Sequence, residues 1–388
     1  MPTQSIPFSP DHRPEFFAQF PAAPAVFLLR GTDASAEPYA GKTTNLHRRL
    51  QRLLAPPESQ SKRLNLRERV ATIEYTLTGS DFESGFLLYK ILREEFPKSY
   101  QKRLRLRPAP LIRFNLENEY PRAYITTKLG RLGGKSLYYG PFRSRATAEK
   151  FLNDSLDLFK MRRCTFDLNP DPKFPGCVYS EMKMCLAPCF KGCTDEEYAA
   201  EVARVQAFLD SAGQSLIQEM ESERERLSAA LDFEAAGHQH TRIAKLKSIL
   251  FAWDDLCGRL DQLDAVIAQP SANAESKSVS LFRFRHGELA GPYDLSVEAE
   301  SESESLELRV RKMLEELVPA ARSATQFMEE LAILKRWYYR SHKVGEIIVA
   351  GNDGVLSARK IANAAQRLYK GEKEGPNLQA PQEENRTA

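Results

Sequence analysis

The sequence predicts an α+β protein: a small mixed or antiparallel sheet with helices, then a cysteine-cluster segment, a helical hairpin and a small C-terminal α/β region. Three observations carry this. Short apolar runs of strand length alternate with longer stretches of helical spacing. The first two strand-like runs lie too close together for a helical crossover, so they are expected to sit in an antiparallel or mixed sheet. Residues 196–250 are helical in pattern with a break near Ser211 and Gly213, and a further amphipathic stretch beginning at Leu231 is consistent with a helical hairpin.

Taken in order, Ala25-Val-Phe-Leu-Leu29 reads as the first strand. A second is expected to end near Tyr39 and Ala40, where Gly41 interrupts it. Leu46, Leu50 and Leu53 then mark the inner face of a basic helix carrying Arg48, Arg49 and Arg52. Residues 72–78 alternate as a strand, Ser80 opens the next helix, and Pro97 stops it. Strand-like runs at 111–114, 123–127 and 137–142 precede a helix over 146–159 and a cysteine-rich loop ending near Thr194. Further on, a strand is expected at 279–284, an acidic serine-rich loop at 297–305, and helices at 306–317 and 325–341. Short strands at 345–349 and 355–357 would flank the turn at 351–354, before a last helix at 358–369. Five regions follow: a compact module at 20–103, a linker and cysteine region at 104–195, a helical region at 196–255, an uncharacterised α/β region at 256–369 and a disordered polar tail at 370–388.

The formal net charge of the 388-residue chain is only +3, but its distribution is uneven. Residues 42–128 hold 18 Lys and Arg against 9 Asp and Glu, a surplus suited to a phosphate backbone or to a solvated basic face. No apolar run reaches the length of a membrane span, and the N-terminus lacks the features of a secretory signal, so a cytoplasmic protein with no membrane contact is expected. Five of six cysteines fall between Cys164 and Cys193, which in a reducing compartment favours a metal centre over disulfides.

Chemistry is most legible at residues 39–50. A phenol at Tyr39, a turn-permitting Gly41, and the cations Lys42 and Arg49 are the groups that phosphodiester hydrolysis needs for orienting water and compensating charge. Glu83 offers a carboxylate for Mg²⁺ or Mn²⁺; equally, Ser80 followed by Glu83 fits a helix-capping box. Cys164, Cys177, Cys185 and Cys189 supply four soft ligands, suitable for Zn²⁺ or for an iron–sulfur cube. Cys193 is a nearby alternative, and Cys257 reads as an isolated thiol.

These motifs resemble the GIY-YIG endonuclease domain, in particular the version found in the family of excinuclease ABC component C. Ala25-Val-Phe27 and Tyr39-Ala-Gly41 occupy the two tripeptide positions, Gly41 to Leu50 resembles the following basic helix, and Ser80 to Leu88 resembles the block carrying the metal-binding glutamate. The resemblance implies Tyr39 as general base, Lys42 and Arg49 as phosphate-side groups, and Glu83 as ligand to Mg²⁺ or Mn²⁺. Phe27 and Leu53 stand where the family has tyrosines. Arg163-Cys164, Cys185-Leu-Ala-Pro-Cys189 and Tyr139-Gly-Pro-Phe142 resemble the family's cysteine region, which implies a [4Fe-4S] cluster on Cys164, Cys177, Cys185 and Cys189, with structural Zn²⁺ as the alternative. Residues 231–250 resemble the UVR motif, which implies pairing with excinuclease ABC component B, although packing within the chain is an equally ordinary use of such a hairpin. The implied function is a damage-directed DNA endonuclease of nucleotide excision repair cutting 3′ to the lesion in damaged duplex DNA. The two missing hydroxyls keep open a catalytically weak DNA-binding or repair adaptor.

Overall fold

The computed structural model describes residues 2–33, 36–56, 64–130, 134–273, 277–298, 304–316, 323–351 and 353–371. Within them the α+β expectation holds, and all the strand pairings are antiparallel. Three four-stranded sheets form, each with its own layers of helix.

The first sheet has the order β1-β4-β2-β3, from β1 (Gln4–Pro7), β2 (Ala25–Arg30), β3 (Tyr39–Thr43) and β4 (Thr72–Leu77). β2 is buried on both faces, which explains its unbroken apolar run. Ala25, Phe27 and Leu29 meet Leu46, Leu50, Leu53 and Leu54 of α1 (Leu46–Leu54). Val26 and Leu28 meet Ile91, Leu87 and Leu88 of α2 (Asp81–Glu95) on the other side. Two expectations change here. β1 extends the module to the N-terminal side of residue 20, and β3 runs through Gly41 instead of ending at it. Gly41 lies under the Phe27 ring, where an added Cβ would stand 3.2 Å from the ring, so the glycine serves close packing.

After the short α3 (Tyr100–Leu104), the second sheet takes the order β6-β5-β7-β8, from β5 (Leu111–Asn115), β6 (Arg122–Thr126), β7 (Leu137–Gly140) and β8 (Gly258–Arg259). Its core joins Ile112, Phe114 and Phe142 to α4 (Arg145–Leu156), and, past the short α5 (Val178–Glu181), to α6 (Asp195–Asp210), α7 (Gln214–Ala229) and α8 (Phe233–Leu250). Residues 104–195 therefore share one core with the helices that follow them. Leu216, Met220, Ile243 and Leu246 bury the inner faces of the helical hairpin, whereas Leu231 and Phe233 at its tip are 73% and 66% exposed.

The third sheet, β11-β10-β9-β12, consists of β9 (Asp264–Pro270), β10 (Ser278–Arg285), β11 (Glu288–Ser296) and β12 (Glu346–Val349). One face is covered by α9 (Leu306–Glu316) and α11 (Ala358–Tyr369), the other by α10 (Ala324–Tyr338). β9 and β11 were not expected, and residues 355–357 form no strand. The region is α+β, with a purely antiparallel sheet. The expected tail beyond residue 371, the centre of the loop at 297–305, Leu317 and Asn352 of the turn lie outside the described residues. Among those described, no helix is long and apolar enough to cross a membrane.

The third sheet is docked on α2. Phe82 packs edge-on against Phe282 at 5.1 Å and against Trp337 at 5.3 Å, and Phe86 also meets Phe282. A Cβ at Gly79 would stand 2.0 Å from the Pro270 carbonyl oxygen, so only glycine lets the β9 end approach the start of α2. Phe282→Ala is expected to destabilise the fold by about 3–5 kcal/mol, measured by urea unfolding; a loss within about 0.5 kcal/mol would show that the docking contributes little.

Candidate functional site

Tyr39 and Arg49 are brought together. Tyr39 begins β3, and Asn45 caps α1 by accepting from the Arg48 backbone N–H, which sets the helix start so that Arg49 returns to the strand. Arg49 Nη2 donates to Tyr39 Oη at 2.8 Å, while its Nε is buried without an acceptor among the described residues. The Phe27 ring lies 6.1 Å from that of Tyr39, and Leu53 is 2% exposed in the core, so the wall of this site is apolar where two hydroxyls were missing from the sequence pattern.

Lys42 lies elsewhere. Tyr39 and Lys42 are three residues apart on one strand and leave it on opposite faces. Lys42 reaches the α2 side and pairs with Asp81, which also pairs with Arg340 beyond the end of α10. Burial works against the charge on Asp81, yet Lys42 and Arg340 hold it below its ordinary carboxylate range. Asp81 and Arg340 each lie in a segment that stands out in the sequence, but their pairing spans 259 residues and no local pattern announces it.

Glu83 is 6% exposed in the first turn of α2. Its backbone N–H is capped by Ser80 Oγ at 3.1 Å, and its Oε2 accepts from the Gly79 N–H at 2.7 Å. Burial pushes its carboxyl up to about 7; the Gly79 hydrogen bond opposes this and the Asp294 carboxylate of β11 adds to it. The structure gives Glu83 no contact with Tyr39, Arg49 or Lys42, and no three metal-ligating side chains converge around an ion among the described residues. In this arrangement the residues present do not fit a divalent cation at Glu83.

The cysteine loop is more cohesive. Cys185 lies within electrostatic reach of Cys164, Cys189 and Cys177; burial first, then these three, push its thiol up to about 11. Cys193 senses Glu197, Asp195 and Cys189 instead, which sets it apart from the quartet. Cys257 is buried elsewhere, donating to the Pro141 carbonyl at 3.2 Å, as befits an isolated thiol. Sequence reasoning missed Arg162, which is fully buried. It donates to Cys164 Sγ at 3.4 Å, to the carbonyls of Tyr120 and Phe166, and to Asn118, with no carboxylate partner among the described residues. The four cysteines are the soft donors that this loop offers; among the described residues they too form no group of three or more metal-ligating side chains around one point.

Fold and site thus define a class: a chain of three antiparallel sheets with helices, a phenol–guanidinium pair in the first module and a thiol-rich loop in the second. Residues 109–208 match the UvrC/Cho excinuclease middle domain. The chain is 29% identical over 278 residues to the UvrABC system protein C of Carboxydothermus hydrogenoformans, covering 70% of this chain and 44% of that protein. It is 32% identical over 240 residues to the protein of that name from Bdellovibrio bacteriovorus, covering 60% and 36%. For Methanothermobacter thermautotrophicus the figures are 25% over 351 residues, covering 89% and 58%. The chain is thus similar to the family of excinuclease ABC component C, with the family model matching its middle region. These matches span between about a third and three fifths of the relatives' length. No solved structure matches the chain significantly.

The raised carboxyl of Glu83 has a pH consequence. The folded protein binds a proton that the unfolded chain has released between its ordinary 4.5 and about 7, so this contribution to stability is present below pH 4.5 and is lost as pH rises through 7. Glu83→Gln, which keeps an acceptor for Gly79, is expected to gain stability over wild type by up to about 3 kcal/mol at pH 8 and to match it near pH 4.5. Parallel pH profiles of the urea midpoint would contradict the assignment.

Proposed function

We propose that the protein is a DNA endonuclease of nucleotide excision repair, acting on damaged duplex DNA at a phosphodiester 3′ to the lesion. The observation that carries the reading is the 2.8 Å bond from Arg49 to Tyr39. It puts a cation beside the Tyr39 hydroxyl, which would orient the attacking water, or take its proton when present as phenolate, and the cation would offset the developing phosphorane charge. Lys42 would hold the strand on the other face of β3. Similarity to the excinuclease family and the basic balance of residues 42–128 support a DNA substrate.

Because Glu83 is buried and has no partner ligands among the described residues, no step is routed through a Mg²⁺ or Mn²⁺ ion there. That burial, together with Phe27, favours a second reading as a catalytically weak DNA-binding or repair adaptor. A nicking assay on lesion-bearing duplex, with and without excinuclease ABC component B and with Mg²⁺ or Mn²⁺, separates the two. Wild type is expected to nick, and Tyr39→Phe and Arg49→Ala to lose about 10²–10³-fold in rate. Binding without nicking would establish the adaptor.

Cys164, Cys177, Cys185 and Cys189 are proposed to hold a [4Fe-4S] cluster in a structural or DNA-engaging role, with Zn²⁺ as the alternative. Anaerobically purified protein is expected to contain iron and acid-labile sulfide, and Arg162→Met to lose both more readily in air. Zinc without sulfide would overturn the assignment. The hairpin tip, with Leu231 and Phe233 exposed, is proposed to receive component B through residues 231–250.

A further inference from the structure

Two basic segments that the proposed incision does not use face each other across a cavity of about 120 Å³ between α2 and α10. One is the alternating run Arg103-Leu-Arg-Leu-Arg107, whose Leu104 and Leu106 line the cavity together with Leu88 of α2. The other is Arg336-Trp-Tyr-Tyr-Arg340, which contributes Arg336, Trp337 and Arg340. The floor is apolar and the rim cationic. Asp81 answers Lys42 and Arg340, and Glu37 pairs with Arg103. Arg336 is exposed and has no carboxylate partner among the described residues. The same neighbourhood depresses the Lys335 ammonium, by burial first and then by repulsion from Arg107, which marks an excess of positive charge.

An apolar pocket with a cationic lip is complementary to one unit of a nucleic-acid strand, which carries an apolar-faced base and an anionic phosphate. We propose that the seam between α2 and α10 binds a nucleotide unit of a DNA strand, with its phosphate at Arg336 and Arg340 and its base against the leucine floor. The choice of DNA rests on the proposed function. Binding is read without cleavage, so a failure to nick leaves this site standing, and loss of this site leaves the Tyr39–Arg49 chemistry standing.

The test uses the full chain and a fluorescein-labelled oligothymidine followed by anisotropy at about 50 and 200 mM salt. Arg336→Gln alters an exposed residue without a partner, and is expected to weaken binding by about 3- to 10-fold and to reduce the salt slope by roughly one. Gly85 lines the cavity on α2, and a Cβ there meets only the Lys42 Nζ, at 4.0 Å. Gly85→Leu therefore fills the pocket while removing no charged group, and helix propensity favours the change. It is expected to weaken binding with the salt slope unchanged, while Gly85→Ala, which leaves the pocket open, binds as wild type; thermal melts confirm folding. Wild-type affinity in Gly85→Leu would reduce the feature to a basic surface and overturn the pocket. Competition by thymidine monophosphate as effective as by the oligomer would overturn the assignment to a strand.

Discussion

Helix α2 is held between two sheets, and much of the arrangement follows from that constraint. Leu87, Leu88 and Ile91 belong to the core under the first sheet, while Phe82, Phe86 and Tyr89 belong to the core under the third. A helix that is apolar around most of its circumference satisfies itself only when covered on both sides. Its N-terminal turn is thereby enclosed: Gly79 abuts the Pro270 carbonyl, Asp81 is shared by Lys42 and Arg340, and Glu83 is sealed close to Asp294. The residue that local pattern singles out as a metal ligand is, in this packing, a capped and shielded acid.

The first and second modules place charge differently. In the first, Arg49 spends one donor on a neutral phenol, so the pair retains capacity for an anion. In the second, Arg162 is wholly enclosed and its donors go to two carbonyls, an amide and a sulfur. Burying a guanidinium without a carboxylate is costly unless other negative charge is present. Arg162 touches the thiol loop at one point, Cys164, while its other donors tie that loop to the backbone and to Asn118.

Local patterns were legible in the sequence and long-range ones were not. The strands β2 and β4, the cap at Ser80 and the break near Ser211 all depend on spacing within a few residues. β1 was missed because a four-residue exposed edge has no periodicity to read. β9 was passed over because a strand buried on both faces lacks alternation, and β11 because glycine and proline interrupt it. Glu83 had two local readings, and the sheet that decides between their geometries lies some two hundred residues away. The second apolar stripe of α2, at Phe82, Phe86 and Tyr89, was the available sign of that distant partner.

Membership in two cores also gives α2 a history during synthesis. A ribosome adding roughly 5–20 residues per second needs on the order of ten seconds or more to travel from Phe82 to Phe282, and longer to reach Trp337. Through that interval the first sheet has its strands and α1 in hand, yet the aromatic stripe of α2 faces water. The nascent chain is thus exposed to unwanted association at its N-terminal module until its C-terminal sheet emerges to cover it.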